Sequence, residues 1–219
     1  MKLKLILTGA TGMVGEGVLH ECLQHPDVEK VLIINRRASG ITHPKLKEVI
    51  HADFFDLSNF EKELEGYDGC LFCLGVSSVG MSKDEYYRLT YTLTMNIAIT
   101  LSKLTPGMVF CYISGASTDS SEKGRINWAR VKGKTENDLM KLPFRKVYAF
   151  RPGVLKPTKG MKNTLGFYKW MGWLIPIISI FSPNSVSSLK ELGLAMINAV
   201  AKGYSRTILE VKDIKELAK

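Results

Sequence analysis

The first seventeen residues constrain the fold most, because an apolar segment, a glycine-rich turn and an amphipathic segment follow one another there. Residues 3–7 (LKLIL) form a short apolar run typical of a buried strand, and apolar positions from Val14 to Leu23 recur at the spacing of a helix. Three glycines separate them: Gly9, Gly12 and Gly15. A strand, a tight turn and a helix in this order suit a dinucleotide, since the free N–H groups at the helix start face its phosphates.

The three glycines have distinct expected roles. Gly9 turns the chain sharply, Gly12 opens the backbone to a pyrophosphate, and Gly15 packs the helix on the strand. The spacing is G-x-x-G-x-x-G, and an ordinary strand–helix turn without a ligand is the alternative interpretation. The context favours the ligand, so we expect six turn residues to contact the cofactor: Gly9, Thr11, Gly12, Met13, Val14 and Gly15.

A second strand, predicted over Val31–Ile34, ends in Asn35, Arg36 and Arg37. Sites that hold the 2′-hydroxyl of NAD usually place an acid at this strand end. Two guanidinium groups suit a 2′-phosphate instead, so the sequence predicts NADP over NAD. A solvated basic loop is the alternative.

Strands and helices alternate through the rest of the chain, which predicts one domain, 1–219, with an α/β, doubly wound (Rossmann), mostly parallel sheet and helices on both faces. Further strands are predicted at 46–50, 69–74, 108–113, 147–150 and 207–211. Helices are predicted near Ser58 and over 82–104, 126–141 and 186–201, with a terminal turn at 214–218.

Candidate site residues follow several of these strands, at the edge where ligands bind in such sheets. They are Arg36, Asp53, Gly75, Ser114 and Pro152. Gly75 permits a close backbone approach to the cofactor. Asp53 has two interpretations: it accepts a hydrogen bond from the adenine amino group, or it caps the short helix near Ser58.

The segment 155–185 differs from the rest because it is rich in bulky apolar residues. Its uncharged part, Trp170–Phe181, is too short to span a bilayer. We expect a lid over a small-molecule substrate, packing on the body, or a homodimer contact. Interfacial membrane contact is the alternative.

Composition and charge narrow the possible cellular locations and functions of the protein. We expect no signal peptide before the first strand, and four cysteines lie in apolar patterns, so we expect a cytoplasmic protein with reduced thiols. The pair Cys70-x-x-Cys73 lacks a second ligand pair, so core packing is expected rather than a metal or redox site. The formal net charge of +9 is dispersed over the sequence and no nucleic-acid motif accompanies it, so we do not expect nucleic acid as a partner.

Several blocks resemble the atypical branch of the short-chain dehydrogenase/reductase superfamily. The N-terminal Thr8–Gly15 has the pattern Thr-Gly-x-x-Gly-x-x-Gly. The later blocks are similar to NAD(P)-binding members typified by the mammalian Tat-interacting protein and bacterial epimerase-like proteins: Cys73–Gly75, Tyr112–Ala116, Val131–Glu136 and Phe150–Leu155. The resemblance implies a Rossmann fold and oxidoreductase or epimerase chemistry on a small carbonyl or sugar.

The resemblance also implies catalytic residues, and one of them is missing. Ser114 matches the serine that steadies the substrate oxygen, and Lys132 matches the lysine that holds the nicotinamide ribose. Trp128 stands where the family has its proton-transferring tyrosine, and an indole N–H only donates. Thr92 is loosely matched to a position where many relatives have an asparagine.

Three interpretations follow from Trp128. The protein is an NADP-dependent enzyme with another acid, such as Tyr86, Tyr87 or water. It is a non-catalytic NADP(H)-binding sensor or adaptor. Or Ser114 and Lys132 are structural and the site is vestigial.

Overall fold

A computed structural model describes residues 2–158, 160–163 and 185–219. The strands are β1 (Leu3–Thr8), β2 (Val28–Asn35), β3 (Leu46–Ile50), β4 (Gly69–Phe72), β5 (Val109–Ile113), β6 (Lys146–Arg151), β7 (Val154–Lys156), β8 (Val186–Ser188) and β9 (Ile208–Glu210). The helices are α1 (Met13–Gln24), α2 (Glu61–Leu64, after a 3-10 turn, Ser58–Phe60), α3 (Lys83–Tyr87), a π-helical turn (Arg88–Thr92), α4 (Leu93–Leu104), α5 (Asn127–Leu139), α6 (Leu189–Lys202) and α7 (Val211–Leu217).

Within these ranges, seven strands form one sheet in the order β3-β2-β1-β4-β5-β6-β9, and every pair is parallel. Each crossover helix therefore returns the chain to the same edge, and all seven carboxyl ends point the same way. The chain order reverses between β1 and β4, which is where open sheets of this type form a ligand crevice.

Two apolar cores lie on opposite faces of the sheet. Leu5 and Leu7 of β1 face the core shared with α1, α6 and α7, whereas Ile6 faces the core shared with α2, α4 and α5. Because successive side chains of a strand alternate between faces, a strand that is apolar at every position needs helices on both sides. The predicted doubly wound α/β architecture is confirmed.

The predicted helix over 186–201 is wrong at its start. Val186–Ser188 form β8, which pairs in parallel with β7, and α6 begins only at Leu189. Ser188 sets this boundary: its hydroxyl accepts from the Glu191 N–H, while the Glu191 carboxylate accepts from the Ser188 N–H. The apolar pattern runs through both elements, so periodicity alone did not separate them.

Two other elements differ from prediction. The helix over 82–104 is interrupted by the π-helical turn, which contains Thr92. The terminal turn at 214–218 is a longer helix, α7, which begins at Val211 with a capping box between Glu210 and Asp213.

The predicted lid or interface segment, 155–185, begins within β7 at Leu155 and is followed by β8. Residues 164–184, which include Trp170–Phe181, lie outside the described residues. Among the helices that are described, none combines the length and the hydropathy that a bilayer crossing requires.

Candidate active site

The glycine turn has a geometry that only glycines fit at two positions. Gly9 has φ of +75°, and a Cβ there would lie 2.7 Å from the Cys73 carbonyl oxygen. A Cβ on Gly15 would lie 2.1 Å from the Gly9 carbonyl oxygen. The turn is thus packed against β4 on one side and α1 on the other.

Gly12 differs, because its missing side chain leaves open space. A Cβ there would have one neighbour within 4 Å, the Gly9 carbonyl oxygen at an ordinary 3.5 Å. Gly12 is the N-cap of α1, where no side chain caps the helix, and Gly75 faces open space on the adjoining loop. The buried Thr8 hydroxyl beneath the turn lacks a partner among the described residues. This open cradle at a helix N-terminus fits a pyrophosphate.

The other turn residues that were predicted to contact the cofactor differ in their exposure. Thr11 is exposed beside Gly12, whereas the side chains of Met13 and Val14 pack into the core on the α1 face. Met13 and Val14 can therefore offer a ligand only backbone groups.

The end of β2 presents two uncommitted cations. Arg36 and Arg37 are exposed, and neither guanidinium makes a hydrogen bond or ion pair within the described part of the chain. A nearby acid bonds within the same loop: Oε1 of Glu48 accepts from Asn35 Nδ2 at 2.7 Å and from the Ser39 N–H at 2.9 Å. These two bonds shape the loop that carries both arginines.

Asp53 lies in an exposed turn after β3, where its Oδ1 accepts from the Phe55 N–H at 2.9 Å. The alternative in which it caps the helix near Ser58 is wrong. Asp56 is the residue whose carboxylate accepts from the Ser58 N–H, at 3.0 Å. Asp53 retains a second oxygen without a described partner.

Two predicted residues, Ser114 and Pro152, lie where backbone bonds join the chain after β5 to the end of β6. Ser114 is buried, and both its N–H (2.9 Å) and its hydroxyl (3.2 Å) donate to the Phe150 carbonyl. The carbonyl of Pro152 accepts from the Ala116 N–H at 3.0 Å. The Ser114 hydroxyl can donate to a substrate oxygen only by leaving Phe150.

Lys132 reaches the same place from the second turn of α5. Its Nζ donates to the carbonyls of Ser114 (2.5 Å) and Ile113 (3.5 Å). Burial lowers the pKa of Lys132 to about 8, and the nearby Glu136 carboxylate opposes that shift. Ser114 and Lys132, far apart in sequence, thus come together at the carboxyl edge.

The tyrosine alternatives are poorly placed for proton transfer. Trp128 is half-buried one helical turn before Lys132. Tyr86 is 2% exposed, and burial raises its pKa. Tyr87 packs against Tyr91 in a tilted arrangement, with ring centroids 4.8 Å apart. The interpretation that Tyr86 or Tyr87 supplies the acid is therefore not supported by this geometry.

Sequence reasoning missed a buried ion pair below Lys132. Arg151, the last residue of β6, binds Glu136 of α5 through both of the carboxylate oxygens, and Glu136 is fully buried. Arg151 gave a partial signal, because it follows the apolar residues 147–150, whereas Glu136 stands in the polar segment 132–138 and gave none. Gly133 lets α5 lie close to the loop after β5, since a Cβ there would lie 1.8 Å from the Asp119 carbonyl oxygen.

The cysteines pack in the core. Cys22, Cys70 and Cys111 are fully buried and Cys73 is half-buried, all four are free thiols, and burial raises their pKa values. In the described ranges no group of three His, Cys, Asp or Glu side chains could hold a metal ion.

Cavities lie both near and far from this edge. One of about 420 Å³ opens beside Ala116 and Gly153 at the carboxyl ends of β5 and β6. A larger one, about 740 Å³, lies at the amino ends of β1 and β2 and is lined by Lys4 and Lys30. Because cofactor chemistry belongs at the carboxyl edge, the smaller cavity is the better candidate for a substrate.

Fold and site together define an α/β protein of the dinucleotide-binding type, with an open helix N-terminus at the switch point of its sheet. The model of the "NAD dependent epimerase/dehydratase family" matches residues 5–130, and the chain belongs to that family. The superfamily and the branch identified from the sequence are confirmed.

Three relatives illustrate the similarity. The protein FMP52, mitochondrial, of Meyerozyma guilliermondii is 24% identical over 209 residues, covering 95% of this chain and 86% of its own. The rat protein HTATIP2 is 28% identical over 153 residues, covering 69% and 62%. Among solved structures, the Bordetella bronchiseptica enzyme WbmF in complex with NAD+ has a TM-score of 0.69 at 12% identity, covering 99% of this chain and 76% of that one. This last likeness shows the fold alone.

The fungal relatives contradict one prediction. FMP52 and two further fungal relatives carry the word mitochondrial in their names. The predicted cytoplasmic location is therefore wrong. It rested on the lack of a signal peptide and on reduced cysteines, and neither feature distinguishes the cytoplasm from an organelle.

Proposed function

We propose that the protein binds NADP(H) along the carboxyl edge of its sheet, in preference to NAD(H). The observation that carries this proposal is the pair of uncommitted guanidiniums, Arg36 and Arg37, at the end of β2. Oε1 of Glu48 accepts from Asn35 and Ser39, which holds this carboxylate on its own loop. Two cations at a strand end where an NAD site usually has an acid favour a 2′-phosphate.

The other candidate residues extend along the same edge. In this proposal the pyrophosphate lies over Gly12, Asp53 accepts from the adenine amino group, and Lys132 holds the nicotinamide ribose. Gly75 and the Pro152 backbone border the cofactor on the adjoining strands. The unused oxygen of Asp53 and the open space at Gly75 support these assignments.

The reaction we propose is oxidation, reduction or epimerisation of a small carbonyl or sugar compound. The cofactor supplies or accepts the hydride when it is bound. The proton must move through a group other than residue 128, because an indole does not exchange a proton near neutral pH. Lys132 is our candidate for the group that moves the proton, since its Nζ lies beside the Ser114 backbone and its pKa is about 8.

A non-catalytic sensor or adaptor is the second candidate. Trp128 and the bonding of Ser114 and Lys132 to backbone carbonyls favour it, because neither side chain is free for a substrate. In that case Lys132 serves only to hold ribose.

Cofactor choice is tested with Arg36→Ala/Arg37→Ala. We expect NADPH affinity to fall about 100-fold, since charge-assisted bonds to phosphate are lost, while NADH affinity changes less than about threefold. Titration calorimetry measures both. Lys47→Ala/Lys62→Ala removes the same charge from exposed positions near the opposite edge and should leave both affinities alone. An equal loss for NADPH and NADH would contradict the preference.

Catalysis is tested with Trp128→Tyr, which restores a proton donor one turn before Lys132. We expect NADPH oxidation against a panel of aldehydes, ketones and nucleotide sugars to rise at least about tenfold, with Trp128→Phe as the matched control. Tight NADPH binding with no turnover in either the native protein or Trp128→Tyr would favour the sensor.

A further inference from the structure

The ion pair between Arg151 and Glu136 is the most buried charged pair in the described part of the chain. Nε of Arg151 lies 3.0 Å from Oε1 of Glu136, and its NH2 nitrogen binds Oε2. The side chains are 11% and 0% exposed. The guanidinium also binds the Ser120 hydroxyl and, at 3.4 Å, the carboxylate of Glu210. Arg151 therefore joins α5, β9 and the loop after β5.

Glu136 follows Lys132 by one helical turn, a spacing at which opposite charges on a helix normally meet. They do not bond here. The Lys132 ammonium instead donates to the carbonyls of Ile113 and Ser114. Each oxygen of Glu136 accepts a bond from Arg151, and the lysine lies at the end of β5 instead.

The other titratable groups on the surrounding elements do not compete for Lys132. The Asp119 carboxylate accepts from Ser121 and Gly124, and Glu210 pairs with Arg151. The two buried phenols nearby stay neutral because burial raises their pKa values: Tyr86 and Tyr112. Glu136 is the charged group that acts on Lys132.

We propose that Arg151 and Glu136 are positioning residues for Lys132: by occupying Glu136, Arg151 withholds that carboxylate from the lysine and keeps the ammonium at the end of β5. The effect of this positioning on cofactor binding rests on the proposed function, but the positioning of Lys132 itself does not. A purely structural ion pair would fasten α5 to β6, and the Lys132 ammonium would stay at the end of β5 when Arg151 is replaced.

The test is the titration of Lys132 in the cofactor-free protein, followed by NMR of 13Cε-labelled lysine and assigned with Lys132→Arg. In Arg151→Met, Glu136 is released to bind Lys132. We expect the Lys132 pKa to rise by at least about one unit, a tenfold change in its acid dissociation constant. Arg151→Met/Glu136→Gln removes the freed charge and should return the pKa to the native value.

Two further variants complete the design. Glu210→Gln removes the exposed partner of Arg151, leaves the bidentate pair intact and should not move the Lys132 pKa. Arg151→Lys retains one charge with a single point of contact, so it gives a smaller rise and replaces Arg151→Met if that variant does not fold. An unchanged Lys132 pKa in the folded Arg151 variant, or a raised one that persists in the double variant, would overturn the proposal.

A separate titration with NADPH at pH 7 distinguishes this proposal from the proposed function. If the native protein fails to bind NADPH while the Lys132 pKa responds as described, the positioning stands and the cofactor assignment fails. If it binds, Arg151→Met should weaken NADPH and the double variant should recover it.

Discussion

The two halves of the carboxyl edge differ in how much of their chemistry the protein itself uses. In the half built by β1, β2 and β3, the Gly12 cradle is open and Arg36 and Arg37 have no described partner. In the half built by β5, β6 and α5, Ser114 and Lys132 already donate to backbone carbonyls.

This difference separates binding from catalysis. The first half is preorganised, because a ligand gains contacts there without breaking any of the protein's own. In the second half a substrate must compete with existing hydrogen bonds, at the very place where Trp128 replaces the expected proton donor. We therefore expect robust cofactor binding and slow turnover in the native protein.

The largest expected effect comes from two glycines of the first half. A methyl group at Gly15 would meet the Gly9 carbonyl oxygen at 2.1 Å, so Gly15→Ala should destabilise the fold by about 3 kcal/mol. At Gly12 the nearest atom would be 3.5 Å away, so Gly12→Ala should fold normally and lose cofactor affinity about tenfold or more. Urea unfolding and NADPH titration measure the two effects.

A result in which Gly12→Ala and Gly15→Ala destabilise the protein equally would remove the distinction between packing and cradle. Native NADPH affinity in Gly12→Ala would place the pyrophosphate elsewhere.

The substitution Lys132→Met tests the half of the carboxyl edge that is built by β5, β6 and α5. Burial lowers the pKa of Lys132 from 10.5 to about 8, so the folded state holds its proton less firmly than the unfolded state does. A shift of this size costs roughly 3 kcal/mol at pH 7, and the two hydrogen bonds to carbonyls offset part of it. We expect Lys132→Met to stabilise the fold by about 1–2 kcal/mol at pH 7, as removal of functional groups often does.

The pH dependence has a definite sign. Between about pH 8 and 10.5 the unfolded chain keeps the Lys132 proton and the folded chain releases it, so native stability rises with pH across this window. The advantage of Lys132→Met should be full below pH 8 and lost by about pH 10.5. Urea unfolding of both proteins at pH 7 and pH 10 measures it, and an advantage that does not shrink with pH would contradict the assignment.

The parts of the fold that sequence predicted well are those where one local rule decides. Buried parallel strands are apolar at every position, as Leu5, Ile6 and Leu7 are, and the glycine turn has a fixed spacing. The start of α6 failed because its boundary depends on a capping bond of Ser188 and on the pairing of β8 with β7.

The residues of the candidate site likewise differ in how well the sequence predicted them. Ser114 could be placed at the carboxyl edge from its position after a strand, since all parallel strands end there, whereas Lys132 lies in α5 and was identified only through the family resemblance. The Arg151–Glu136 pair could not be derived from spacing, because it joins a strand end to a helix interior across fifteen residues of sequence. The burial of Tyr86 likewise depends on packing that no local pattern reports.

The smallest effect concerns Asp53, whose role in the first half is the least constrained by contacts. Asp53→Ala removes one bond to the Phe55 N–H, and Asp56→Ala removes the equivalent bond to Ser58, so both variants should have similar midpoints of thermal unfolding. If the free oxygen of Asp53 accepts from adenine, Asp53→Ala should weaken NADPH about fivefold and Asp56→Ala should not. Because the adenine is common to NADPH and NADH, the loss should be the same for both cofactors, in contrast to Arg36→Ala/Arg37→Ala. Equal affinities for NADPH in the two aspartate variants would leave Asp53 as a turn residue, and the specificity of this half would then rest on its arginines and glycines alone.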